Sequence, residues 1–97
     1  MIEVTTVKVD GKAYLGLKAD LPESPPLLLI LAEKGFLMCG FLNVESAEKL
    51  AAAAAMVTGV KCFEDVLNAQ VKALTTKAKS LGVEAGMKGS EALKHMS

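Results

Sequence analysis

No arginine occurs among the 97 residues. All eleven basic side chains are lysine, balanced by eleven aspartates and glutamates. Arginine's planar fork is the usual bidentate reader of phosphate, guanine and carboxylate. Its absence, with zero net charge, argues against nucleic acid as a partner. Trp is missing too and Tyr occurs once, so platforms for stacking bases are scarce. A metal site needs three or four ligands at set spacings. One histidine, His95, and two separated cysteines, Cys39 and Cys62, make no CxxC, HExxH or His-rich tract, so no metal or other cofactor is expected. Met1-Ile2-Glu3-Val4-Thr5 has neither the basic nor the apolar region of a signal peptide. Reduced thiols and a cytoplasmic location follow as the expectation. Long apolar runs are absent as well. Glu33-Lys34-Gly35 splits residues 25–44 into two runs of about eight, too short to cross a bilayer as a helix.

What is present is apolar. Hydrophobic residues make up 52% of the chain, at or above the top of the usual range. A single domain of this size, spanning 1–97, buries somewhat over ~60% of its unfolded surface. Self-association is the simplest outlet for the surplus. The run Gly35-Phe36-Leu37-Met38-Cys39-Gly40-Phe41-Leu42-Asn43 lacks polar alternation and reads as a strand buried on both faces.

Asp10-Gly11 is the clearest turn signal and fits a two-residue type I′ hairpin between Val7-Lys8-Val9 and Lys12-Ala13-Tyr14. In the second strand Ala13, Leu15, Leu17, Ala19 and Leu21 share one face. Lys12, Tyr14, Gly16, Lys18 and Asp20 share the other. The first strand changes phase at Thr5-Thr6, where a bulge is expected. After the loop Pro22-Glu23-Ser24-Pro25-Pro26, the run Leu27 to Ala32 reads as a strand buried on both faces, and Phe36 to Leu42 as its partner. The four strands fit an antiparallel meander.

Asn43 suits an N-cap, with Glu45 in the first helical turn and Lys49 four residues on. Ala47, Leu50, Ala51, Ala54 and Val57 carry helical spacing through the alanine tract, ended by Thr58-Gly59. Phe63, Val66 and Leu67 indicate a short helix through Asn68. Val71 to Thr76 is a candidate fifth strand, and Ala78 to Leu81 one helical turn ended by Gly82. Ser90 is placed as the cap of a final helix carrying Ala92, Leu93 and Met96. The fold class is α+β: an N-terminal antiparallel sheet of about four strands packed by an alanine-rich helix, with shorter C-terminal elements.

Candidate chemistry is thin. Cys39 is the one residue to nominate as a nucleophile. A catalytic thiol needs a base within hydrogen-bond reach, and no spacing ties His95 to it. A buried small hydrophobe is the competing reading. Glu64 and Asp65 are neighbours whose side chains point in different directions on a helix, as on a solvated face. Gly86-x-x-Gly89 with Lys88 precedes a helix and suits either an anion cradle of backbone N–H groups or a plain turn. Gly40 marks a bulge, or a place where another backbone or a ligand comes close. A small-molecule site would lie where Cys39, Gly40 and Asn43 meet the start of the long helix, near a subunit boundary.

Three stretches carry a resemblance. Lys34-Gly35-Phe36-Leu37-Met38-Cys39-Gly40 is the first. Gly59-Val60 with Phe63-x-x-Val66-Leu67-x-Ala69 is the second. Leu81-Gly82-Val83-x-x-Gly86-Met87-x-Gly89-x-Glu91-Ala92-Leu93 is the third. Together they resemble the YunC-like family, small bacterial and archaeal proteins grouped as a domain of unknown function. The resemblance implies an α+β domain whose N-terminal β-region mediates tetramer formation, and no established activity, cofactor or catalytic residue. Relatives tend to have Thr just before the second helix. Cys62 stands there here, and Cys is a poor N-cap. Two functional readings follow. The first is a homo-oligomer, a tetramer, with its sheet buried between subunits. The alternative is a small-molecule-binding protein or thiol-dependent enzyme with a site around Cys39.

Overall fold

The structure, a computed structural model, describes residues 2–97. Asp10 and Gly11 take φ of +50° and +83°. They form the expected two-residue hairpin between β1 (Ile2–Val9) and β2 (Lys12–Ala19). Pairing runs unbroken from Ile2↔Ala19 to Val9↔Lys12. The expected bulge at Thr5-Thr6 is therefore not formed. The phase change has another meaning: β1 serves both faces of the sheet. Val7 and Val9 pack in the main core, whereas Ile2 and Val4 stand on the other face, 69% and 59% exposed.

The same inversion holds in β2. Tyr14 and Gly16, from the set that also carries Lys12 and Lys18, face the core. Leu15, from the apolar set, is 46% exposed. Gly16 explains the choice. A Cβ there would lie 2.7 Å from Val7 Cγ2 and 2.9 Å from Phe63 Cε1, so a bare backbone is needed where a helix crosses the strand. Tyr14 reaches across to hydrogen-bond Ser97 through their hydroxyls at 2.8 Å.

β3 (Leu27–Leu31) and β4 (Phe36–Met38) complete the antiparallel meander. Leu37 and Met38 are buried on opposite faces of β4, as expected. In β3 the burial is one-sided: Leu28 and Ile30 are fully buried, while Leu31 keeps 36% of its surface.

Beyond β4 the sequence expectation fails. Asn43 does cap a helix, its Oδ1 accepting the Glu45 N–H at 2.8 Å. That helix, α1 (Val44–Lys49), ends at Leu50, and Ala51 turns left-handed with φ +58°. The rest of the alanine tract is not helical. It forms β5 (Ala54–Met56), parallel to β4 with Leu37↔Ala55 and Met38↔Met56. The helix preference of alanine is worth less than ~1 kcal/mol per residue. Here it competes with two ladders and with Thr75, whose hydroxyl donates to Ala52 O at 2.7 Å and accepts from Ala54 N at 3.0 Å. Small side chains suit this central strand. Ala53, Ala54 and Ala55 are buried, and a Cβ on Gly35 would lie 2.6 Å from Ala53 O.

β6 (Ala73–Leu74) pairs antiparallel with β5, within the region expected to be a strand but shorter and sixth in order. Strand order is β1-β2-β3-β4-β5-β6. α2 (Phe63–Asn68) and α3 (Thr76–Ser80) fall where expected, with Gly82 just past the C-cap Leu81. α4 (Gly89–His95) begins before the expected cap: Lys88 is the N-cap and Ser90 lies inside the helix. Gly89 N–H donates to Ala69 O at 2.9 Å, and a Cβ at Gly89 would meet Val66 O at 2.2 Å. The glycine is what lets α4 lie against α2.

Two cross-strand rows summarise the sheet. Gly16, Ile30, Leu37, Ala55 and Leu74 are in register on the inner face, under Val66, Ala78, Leu93 and Met96 of the main core. Val4, Leu17, Leu29, Met38 and Met56 are in register on the outer face. There a second cluster of Met38, Ala47 and Ala54, with Leu42 and Val44 against it, covers the β4–β5 end.

Candidate functional site

The parallel pair β4–β5, joined through α1, sets the carboxyl ends of two neighbouring strands side by side. Cys39-Gly40-Phe41 leaves one end and Thr58-Gly59-Val60-Lys61 the other. Pro25-Pro26 lie beside them, leading into the amino end of the antiparallel β3. These nine residues line a groove of about 270 Å³. The reading of 51–57 as helix hid this juxtaposition, because it placed Thr58 to Lys61 at the far end of a rod. No sequence signal marks Phe41, Thr58 or Lys61 as groove residues; they become neighbours of Cys39 only once β5 is a strand.

Of the residues nominated from sequence, Cys39 and Gly40 line the groove. Asn43, Lys88 and Gly89 lie outside it. Asn43 spends its side chain on the α1 cap. Lys88 bridges Gln70 and precedes the tightly packed Gly89. Gly40 is not inside β4 but in the turn after it. Cys39 is a free thiol, 3% exposed, and its Sγ accepts the Leu28 N–H at 3.3 Å. His95 lies beside Gly82 and is not a groove residue. Cys62 is exposed. It is the α2 N-cap with no side-chain capping bond. Instead, the Asp65 carboxylate accepts the Lys61 N–H at 3.1 Å and closes the start of that helix from inside. Among the described residues no three His, Cys, Asp or Glu side chains group to hold a metal ion.

Glu48 and Lys94 have shifted pKa values, and both lie outside the groove lining. Glu48 accepts the Thr76 N–H at 2.7 Å. That bond holds its carboxyl below the usual 4.5 and ties α1 to the start of α3. Lys94 pairs with the Asp10 carboxylate, which raises its ammonium above the usual 10.5 and pins α4 to the hairpin tip.

The architecture is that of an α+β protein: a six-stranded, mostly antiparallel sheet with four short helices. Residues 38–96 match the family described as a domain of unknown function, DUF1805, and the chain belongs to that family. It is 28% identical to the uncharacterised protein YunC of Bacillus subtilis, over 99% of this chain and 98% of that protein. It also matches the crystal structure of a protein of unknown function, TA1206 from Thermoplasma acidophilum. The TM-score is 0.92 at 33% identity, over 100% of this chain and 94% of that one. Among the described residues no helix is long and apolar enough to cross a membrane.

Proposed function

We propose that this chain is the subunit of a cytoplasmic homo-oligomer, a tetramer assembled through its N-terminal sheet. The observation that supports this reading is the outer face over β1, β2 and β3. Its apolar rows continue from the covered β4–β5 end, yet Ile2, Val4, Leu15 and Leu31 are exposed. An apolar sheet face left open is an interaction surface. A second copy suits it: the face is almost free of charge, and the zero net charge of the chain sets up no repulsion between copies. β1 is also an edge strand with eight residues, and such an edge is a template for further pairing. Face and edge are two separate surfaces, and an isologous contact through each would build a dimer of dimers.

Light scattering coupled to size exclusion tests the reading. The expected result is a tetramer at micromolar concentration, reduced to dimer or monomer by Leu15→Lys with unchanged far-UV circular dichroism. A wild-type monomer under those conditions would sink it.

A further inference from the structure

Of the eight glycines, all but one have a local reason. Gly11, Gly59, Gly82 and Gly86 have φ between +72° and +106°, and at Gly16, Gly35 and Gly89 a Cβ would come closer than 3.0 Å to a neighbour. Gly40 has neither reason. Its backbone lies outside the left-handed region, and a Cβ would make ordinary contact with Thr58 Cγ2 at 3.4 Å. A Cβ at 40 would fit the fold and would stand against Thr58 across the gap between the two loops. Beside it lies the groove of about 270 Å³.

The lining has two kinds of surface. Pro26, Phe41 and Val60 are apolar, and Phe41 keeps 49% of its surface exposed. Thr58 turns its methyl, Cγ2, toward Gly40, and Lys61 is the one charged residue in the lining among the described residues. The Asp65 carboxylate is not in that lining and is held on the Lys61 amide. The groove opens at the carboxyl ends of parallel strands, where open sheets with crossover helices hold their ligands.

We propose that the groove binds a small amphipathic anion, a monocarboxylate with a short apolar body. Its apolar body lies on Phe41, Pro26 and Val60, and its carboxylate faces the Lys61 ammonium. Cys39 is wall rather than nucleophile, 3% exposed in a lining with no His, Asp or Glu among the described residues to act as its base, and no covalent step is involved.

Titration of the full chain with hexanoate, followed by amide chemical shifts, is the test. Saturable shifts centred on Gly40, Phe41, Thr58 and Gly59 are expected. Hexan-1-ol keeps the body and loses the charge, so it should bind about fivefold more weakly, in keeping with an exposed charge pair. Lys61→Gln should weaken hexanoate by a similar factor of about five. Gly40→Leu should abolish the shifts without moving the thermal midpoint. If that variant does not fold, Thr58→Trp plugs the same gap from the opposite wall and is read in the same way. Shifts centred elsewhere, no saturable shifts, equal affinity for acid and alcohol, or wild-type binding by the plugged variant would each overturn the site.

Discussion

The two faces of this sheet are built from similar residues and meet different fates. On the inner face Ile30, Leu37 and Ala55 are completely buried beneath helical side chains, and Gly16 and Gly89 let the elements touch. On the outer face α1 covers Met38 and Ala54, and the β1–β3 end stays open. Apolar character is therefore not what separates core from surface here. Coverage is, and coverage depends on where four short helices fall along the chain.

The harshest way to break the inner face is Gly89→Val. It drives a Cβ against Val66 O and Leu37 Cδ2, and about 3 kcal/mol of destabilisation, the upper end for overpacking, is expected because the nearest atom is backbone. Urea unfolding or the soluble yield reads it. A paired truncation measures the contrast between faces. Leu37→Ala should cost about 2–5 kcal/mol as a core cavity. Leu15→Ala should cost less than ~0.5 kcal/mol in the dissociated chain and should act instead on assembly. Equal losses in the dissociated chain would abolish the distinction. Thr75→Val tests the seam that holds the alanine tract as a strand. It strips a partner from Ala54 N, Ala52 O and Ala78 N, and about 2 kcal/mol is expected for these buried groups.

The smallest effect is Glu48→Gln, which loosens the tie between α1 on the outer face and α3. The Glu48 carboxyl is lowered in the folded chain by the Thr76 N–H. Its contribution is thus present above the unfolded value near 4.5 and disappears as pH falls through the folded value. Thermal midpoints of wild type and variant should differ slightly at neutral pH and converge well below 4.5. A difference that persists in acid would point to packing instead.

Local chemistry was readable wherever one residue type solves one backbone problem. Asp10-Gly11 supplies the two positive φ angles of its turn, Asn43 supplies an acceptor for an N–H at the α1 start, and Gly82 follows the end of α3. The misreadings share a cause. Ala51 to Ala55 has helical propensity and helical spacing, yet its backbone is taken by β4, β6 and Thr75. The phase change in β1 looked like a local defect. It is a strand whose two ends carry their apolar residues on different faces. Of the candidate site, Cys39 and Gly40 were legible as an apolar strand end with a glycine. Phe41, Thr58 and Lys61 were not, because a groove between two loops is a long-range fact.

The sequence by itself determined the hairpin, the meander, the Asn43 cap, the α+β class and the family resemblance, since each rests on interactions a few residues apart or on the order of motifs. Only the tertiary structure decided that the alanine tract is a central strand, which face of β2 is core, and that a groove opens beside Gly40. Those outcomes depend on which backbones pair and which helices cover them. Pairing and burial energies between distant segments exceed the fraction of a kcal/mol per residue by which local propensities differ.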